Sequence, residues 1–123
     1  MSRNQKRIDV EKFSRVSWKH EQGVFTGRTE ISRQPFGNFF IYFTLKPTSG
    51  ETTVEIINYN YPLFNRPRVN YESFTAATKG IAEYFEEVDG IVKKVPQNVK
   101  ERAKRASQYI IAQEIAKIAR EVI

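Results

Sequence analysis

The chain has 123 residues, of which 40% are hydrophobic and 28% charged, and its formal net charge is +6. We expect one folded domain over residues 1–123 with a single core, because a disordered chain would lack so many apolar residues. The absence of cysteine excludes a disulfide framework and a cysteine nucleophile. With a single histidine, His20, the chain also has few residues that could bind a metal ion. No apolar run approaches the roughly 18 residues of a membrane helix, and the amino terminus does not resemble a signal peptide, so we expect a cytoplasmic protein without a membrane partner.

Charge is unevenly distributed along the chain. Residues 1–70 carry a net charge of +5, residues 71–89 carry −4, and residues 90–123 carry +5. Basic surfaces of this kind favour anionic partners such as nucleic acid. The first seven residues, with three of these cations and no apolar run, are predicted to form a flexible basic segment.

The first half of the chain alternates between apolar runs and turn signals, which is typical of an antiparallel meander. Strands are predicted over residues 8–19, 24–32, 38–46 and 52–60, so that the sheet occupies residues 8–60. Each break between them contains the glycine or proline that a tight connection requires.

The second half is predicted to be helical after a loop. Two prolines make residues 61–69 a poor strand, and we expect the chain to leave the sheet there. A helix follows over residues 70–89, begun by Asn70 and ended at Gly90, and a second helix runs over residues 97–122. The predicted fold is therefore α+β, with the order ββββαα and both helices on one face of the sheet.

Catalytic chemistry is not indicated. The glycine-rich phosphate loops and the nucleophile-elbow motif are missing, and the densest carboxylates, over residues 83–89, lie along a predicted helix. We expect no enzyme, no catalytic residues, no bound metal or cofactor, and no small-molecule substrate.

The stretch GNFFIYFTLK, residues 37–46, places four aromatic residues in five positions. Alternate side chains of a strand point to opposite faces, so Phe39, Ile41 and Phe43 are assigned to the core. Phe40 and Tyr42 then lie on the outer face, which the helices leave open. The same parity in the other strands places aromatic rings and cations side by side on that face.

Rings interleaved with cations are typical of proteins that bind single-stranded nucleic acid, because bases stack on the rings while Lys and Arg contact phosphates. We therefore expect binding of a single strand, with DNA favoured over RNA. The candidate binding residues combine the outer face, the following loop and the basic second helix: Phe13, Arg15, Lys19, Arg28, Phe40, Tyr42, Lys46, Tyr59, Tyr61, Phe64, Arg66, Arg68, Lys100 and Lys104.

Two other interpretations stay open. Aromatic pairs across strands also stabilise sheets and interfaces, so the outer face and the carboxyl-terminal helix are alternatively interfaces of a structural or interaction protein. A third possibility is a ribosome-associated or duplex RNA binder that uses the two basic regions. If the protein binds single-stranded nucleic acid, we expect it to be a homodimer.

The order of elements over residues 8–90 resembles the half-unit of Whirly-type and related coactivator-type single-stranded DNA-binding proteins. No sequence motif of these proteins occurs in the chain, so the similarity is one of layout. The resemblance implies dimerisation and binding of a single strand across the sheet.

Overall fold

The computed structural model describes residues 16–102, 105 and 108–122 and shows an α+β fold, with an antiparallel sheet followed by helices. Within these residues the sheet has five strands rather than the predicted four, in the sequential order of a meander. The strands are β1 (Ser17–Glu21), β2 (Val24–Ser32), β3 (Asn38–Leu45), β4 (Thr52–Ile57) and β5 (Arg66–Tyr71). The helices are α1 (Phe74–Lys94), α2 (Gln97–Arg102) and α3 (Gln108–Val122), and a single 3-10 turn occupies Pro62–Phe64.

The pairing register confirms the assignment of faces made from parity. Phe43 lies opposite Gly27 and Val54, and Ile41 lies opposite Thr29 and Ile56. These inner-face side chains are buried, whereas Tyr42, between them in β3, lies opposite Arg28 on the outer face. The described helices pack on the inner face, where Phe39 contacts Phe85 with ring centroids 5.3 Å apart.

The prediction of a loop over residues 61–69 is wrong for residues 66–69, because β5 pairs with β4 and forms an edge of the described sheet. Pro67 is tolerated there because an edge strand leaves one side of its backbone unpaired. The register also shifts between Val54 and Ile56, which pair with Val69 and Arg66. Pro67 and Arg68 together therefore oppose the single residue Glu55, as in a β-bulge.

Helix α1 begins later and ends later than the sequence predicts. Its N-cap is Ser73, whose hydroxyl accepts a hydrogen bond from the Ala76 amide at 3.0 Å, while Asn70 belongs to β5. Gly90 does not end the helix, because Val88 and Ile91 continue the buried stripe across it. Packing of that stripe outweighs the roughly 1 kcal/mol cost of an interior glycine.

The single helix predicted over residues 97–122 is interrupted, because Arg105 lies in a turn between α2 and α3. Val99 of α2 is buried, and so are Ile111 and Ile115 of α3, one helical turn apart. Between these anchors the sequence is rich in Lys and Arg and has no large apolar residue from 100 to 108. A stretch without large apolar side chains gains little from packing on a core. The buried residues of α2 and α3 therefore anchor the two helices separately.

The core also depends on one buried amide, Asn58, at the end of β4. Its Nδ2 donates to the Phe36 carbonyl at 2.8 Å, and its Oδ1 accepts from the Asn60 and Tyr61 amides at 3.0 and 2.9 Å. These bonds turn the chain after Ile57, which is why β4 is shorter than the predicted strand over residues 52–60. They direct the following segment, including Tyr59, past the end of β3.

Several predictions lie outside the described residues. They are the flexible segment over residues 1–7, the start of the strand predicted over residues 8–19, and the candidate binding residues Phe13, Arg15 and Lys104. Within the described part of the chain, no helix is long and apolar enough to cross a membrane.

Candidate functional site

Four of the predicted binding residues come together at the middle of the outer face. Arg28 of β2 lies opposite Tyr42 of β3, and Phe40 is two residues away on the same face. Tyr59 follows β4 and reaches back over the same area. We call Arg28, Phe40, Tyr42 and Tyr59 the outer-face cluster.

The members of the outer-face cluster contact one another directly. The Arg28 guanidinium carbon lies 4.8 Å from the centroid of the Phe40 ring and 6.0 Å from that of Tyr42. The Phe40 and Tyr59 rings have centroids 5.3 Å apart with their planes inclined by 60°. The Tyr42 and Tyr59 hydroxyl oxygens are 3.3 Å apart, within hydrogen-bond distance. Tyr59 is 66% exposed, so the cluster presents a ring to solvent although its members pack together.

The two phenols of the cluster differ in acidity. The pKa of Tyr42 is lowered from its ordinary value, first by the hydrogen bond with Tyr59 and then by its interactions with Arg28. The pKa of Tyr59 is raised, first by its hydrogen bond with Tyr42 and then by the charge that Tyr42 would carry.

Charge on the outer face is balanced rather than basic. Within the described strands and the β3–β4 hairpin, the register places four cations and four carboxylates on this face. They are Lys19, Arg28, Lys46 and Arg68 with Glu21, Glu30, Glu51 and Glu55. Lys46 Nζ lies 3.2 Å from Glu51 Oε1, and Glu51 also accepts a hydrogen bond from Asn70 at 2.8 Å, so this cation is already partnered.

Tyr61 and Phe64 are not part of the accessible surface, contrary to the prediction. Each is only 4% exposed. The Phe64 ring stacks on Phe36 at 4.5 Å, and the Tyr61 ring meets Phe36 edge-on at 6.2 Å. We predicted both residues in a loop beside the sheet, but the turn held by Asn58 directs both rings into the core.

Arg66 lies on the helix side of the sheet, away from the outer-face cluster. Its guanidinium carbon is 5.6 Å from the centroid of the Tyr84 ring, and its Nη1 donates to the Gly80 carbonyl at 3.4 Å. Arg68 is exposed on the outer face beside the β5 bulge. The bulge separates these two arginines onto opposite faces, which the alternation of a regular strand would not have done.

Lys100 belongs to a different part of the molecule from the outer-face cluster. It lies in α2, which is anchored through Val99 in the core on the helix side. Lys19 of β1 is on the outer face, opposite Thr26. Of the predicted site, the structure therefore gathers the four residues of the outer-face cluster, with Lys19 and Arg68 on the same face.

The alternation of side chains along the strands did not indicate two features of the structure. The hydrogen bond between Tyr42 and Tyr59 joins residues 17 positions apart and depends on where the chain turns after β4. The other feature is an open groove of about 350 Å³ between β2 and α1, on the helix side of the sheet. Arg33 spans it, with its guanidinium carbon 5.0 Å from the centroid of the Phe85 ring and Nε 3.3 Å from Asp89 Oδ1.

The acidic and histidine side chains that the structure describes are spread over several elements. Within residues 16–102 and the described part of the carboxyl-terminal helix, no three of these side chains are grouped so that they could hold a metal ion. His20 instead stacks on Phe25, with ring centroids 4.2 Å apart.

Comparison with known proteins gives no match to a family model, to a curated protein or to a solved structure. The resemblance to Whirly-type proteins therefore rests on the order of elements alone.

Proposed function

We propose that the protein binds single-stranded nucleic acid, without catalysis, across the outer face of its sheet. The observation that carries this proposal is the outer-face cluster, in which an exposed tyrosine, two further rings and a guanidinium meet on a face that the described helices leave open. Rings on an open sheet offer planar surfaces on which unpaired bases stack. In a duplex the bases are already stacked on one another, so we expect this face to bind a duplex more weakly than a single strand.

The balance of charge on the outer face limits how the strand is held. Apart from Lys46, which is paired with Glu51, the described outer face offers Lys19, Arg28 and Arg68 to phosphates. Each phosphate neutralised on a single strand contributes about −0.7 to the slope of log K against log salt concentration. Three contacts would give a slope of about −2, so we expect a short binding site with a moderate salt dependence.

Replacing Tyr59 by alanine tests the proposal. Tyr59 is 66% exposed, so the variant is expected to fold. Loss of its ring should weaken binding of oligo-dT by about 5- to 150-fold, the range for one base–ring stack. Fluorescence anisotropy with labelled oligo-dT and its RNA equivalent measures this loss and shows which sugar is preferred. Tyr109→Ala is the matched control, because Tyr109 is a 71% exposed tyrosine on α3. Equal binding by wild type and Tyr59→Ala would contradict the proposal.

A protein interface is a second candidate function, and the balanced charge of the outer face favours it. Four cations alternating with four carboxylates suit a complementary surface, including a second copy of this chain in the homodimer expected from the sequence. Sedimentation equilibrium separates the two candidates. An interface through the outer-face cluster should give a dimer that is lost in Tyr59→Ala, with no binding of oligo-dT.

A further inference from the structure

Three hydrogen-bond donor groups of the outer-face cluster converge, and Glu55 lies near enough to act electrostatically on both phenols. The Tyr42 and Tyr59 hydroxyl oxygens lie 3.3 Å apart, and the Arg28 guanidinium lies over the same rings. Of the two hydroxyl protons, one is used in the bond between the phenols, whichever residue donates it. The other hydroxyl proton can be donated to a ligand. So can the guanidinium protons of Arg28 that are not used in its hydrogen bond with Tyr42.

We propose that these groups form a binding site for one phosphate of the nucleic-acid strand, with the Arg28 guanidinium and the Tyr42–Tyr59 hydroxyl pair as donors. This inference rests on the proposed function, and it adds a fixed point at which the strand is held. A phosphate has several acceptor oxygens and a negative charge, which suits a guanidinium fork beside a hydroxyl donor. The exposed ring of Tyr59 then stacks on a base next to the bound phosphate.

The surrounding charges restrict this site to a single phosphate. Glu55 lies opposite Tyr42 in the register, and Glu30 lies opposite Phe40. These carboxylates flank the cluster on neighbouring strands and repel a second phosphate placed beside the first. The site therefore fixes the register of the strand on the rings rather than following a long stretch of backbone.

The test removes the hydroxyl groups and keeps the rings. The double variant Tyr42→Phe/Tyr59→Phe is compared with wild type for binding of oligo-dT and of oligo-dT whose linkages are uncharged methylphosphonates. We expect the double variant to bind the natural oligonucleotide about tenfold more weakly, the effect of one lost bond to a charged group. We expect it to bind the uncharged oligonucleotide as wild type does. Tyr109→Phe controls for the loss of an exposed hydroxyl elsewhere.

The outcomes distinguish this inference from the proposed function. If wild type binds oligo-dT and Tyr59→Ala does not, but the double phenylalanine variant binds as wild type, stacking stands and the phosphate site is overturned. An equal loss of affinity for charged and uncharged oligonucleotides would also overturn it, because the hydroxyls would then act on something other than a phosphate charge. Absence of binding by wild type to either oligonucleotide would overturn both proposals.

Discussion

Tyr84 joins α1 to the segment that precedes β5. Its hydroxyl donates to the Phe64 carbonyl, and its ring lies among the aromatic side chains of the core edge, 5.5 Å from that of Phe85. Burial raises the pKa of Tyr84 to about 12, with Arg66 acting in the opposite direction and Glu87 adding to the increase. A single side chain thus couples the packing of the helix to the ionisation of a phenol.

The raised pKa of Tyr84 gives a prediction for stability at alkaline pH. Because the folded protein holds this proton more tightly than the unfolded chain, whose tyrosine pKa is about 10, its contribution to stability is complete below pH 10 and is lost as the pH rises towards 12. Tyr84→Phe should lower the free energy of unfolding at pH 7 by about 1 kcal/mol, through loss of the hydrogen bond. Tyr84→Phe should also reduce the loss of unfolding free energy that wild type shows as the pH rises above 10.

Urea unfolding of wild type and Tyr84→Phe between pH 7 and pH 11.5 measures both effects. Tyr109→Phe, at an exposed position on α3, is the control for the removal of a tyrosine hydroxyl. The interpretation fails if the difference in unfolding free energy between wild type and Tyr84→Phe is the same at every pH.

Where a strand is regular, the sequence was enough to assign each side chain to the inner or the outer face of the sheet. The positions of Phe39, Phe40, Ile41 and Tyr42 follow from alternation alone, because the strand has no bulge and one set is uniformly apolar. The positions of Tyr61 and Phe64 could not be assigned in this way. They depend on the long-range hydrogen bonds of Asn58, whose partner Phe36 is 22 residues away.

Among the elements, β5 and α1 meet through one glycine. A Cβ built on Gly80 would lie 2.3 Å from the Tyr71 hydroxyl oxygen and 2.6 Å from the adjacent ring carbon. Tyr71 projects from β5 towards the helix, and its hydroxyl is buried, so the rigid ring has little room to move away. A Cβ at Gly90, ten residues further along the same helix, would meet nothing within 4 Å.

These two glycines make a matched pair for mutation. Gly80→Ala should lower the free energy of unfolding by about 1–3 kcal/mol, because the new methyl group overlaps Tyr71. Gly90→Ala should raise it by about 0.5–1 kcal/mol, because alanine favours the helix and meets no neighbour. Urea denaturation followed by circular dichroism measures both. A Gly80→Ala protein at least as stable as wild type would show that β5 and α1 do not pack as closely as described.

Element boundaries were predictable where local signals and packing agree. The limits of β2 follow from the turns on either side, including the Gln22–Gly23 hairpin turn, in which both residues have positive φ. The limits of β5 and α1 were not predictable from Pro67 and Gly90. Pro67 has a low propensity for strands but is tolerated at the edge of the sheet. Gly90 has a low propensity for helices but is tolerated because the residues around it in α1 are packed in the core.

Over the whole molecule, the aromatic surface and the excess positive charge are separated. The described outer face is balanced in charge, while the sequence has a net +5 in residues 90–123, whose described helices pack on the other side of the sheet. The layered fold could be predicted from hydrophobic periodicity, but this separation could not, since it depends on which face each cation occupies. Stacking on the outer face, rather than total charge, is therefore expected to dominate the affinity for a strand.

The most direct test of single-strand binding is the salt dependence of oligo-dT affinity for wild type and Arg28→Gln, measured by fluorescence anisotropy beside a duplex of the same length. We predict tighter binding of the single strand than of the duplex, with a slope of about −2 in wild type that becomes shallower by about 0.7 in Arg28→Gln. Equal affinity for the duplex, or a slope that Arg28→Gln leaves unchanged, would contradict binding of a single strand at the outer-face cluster.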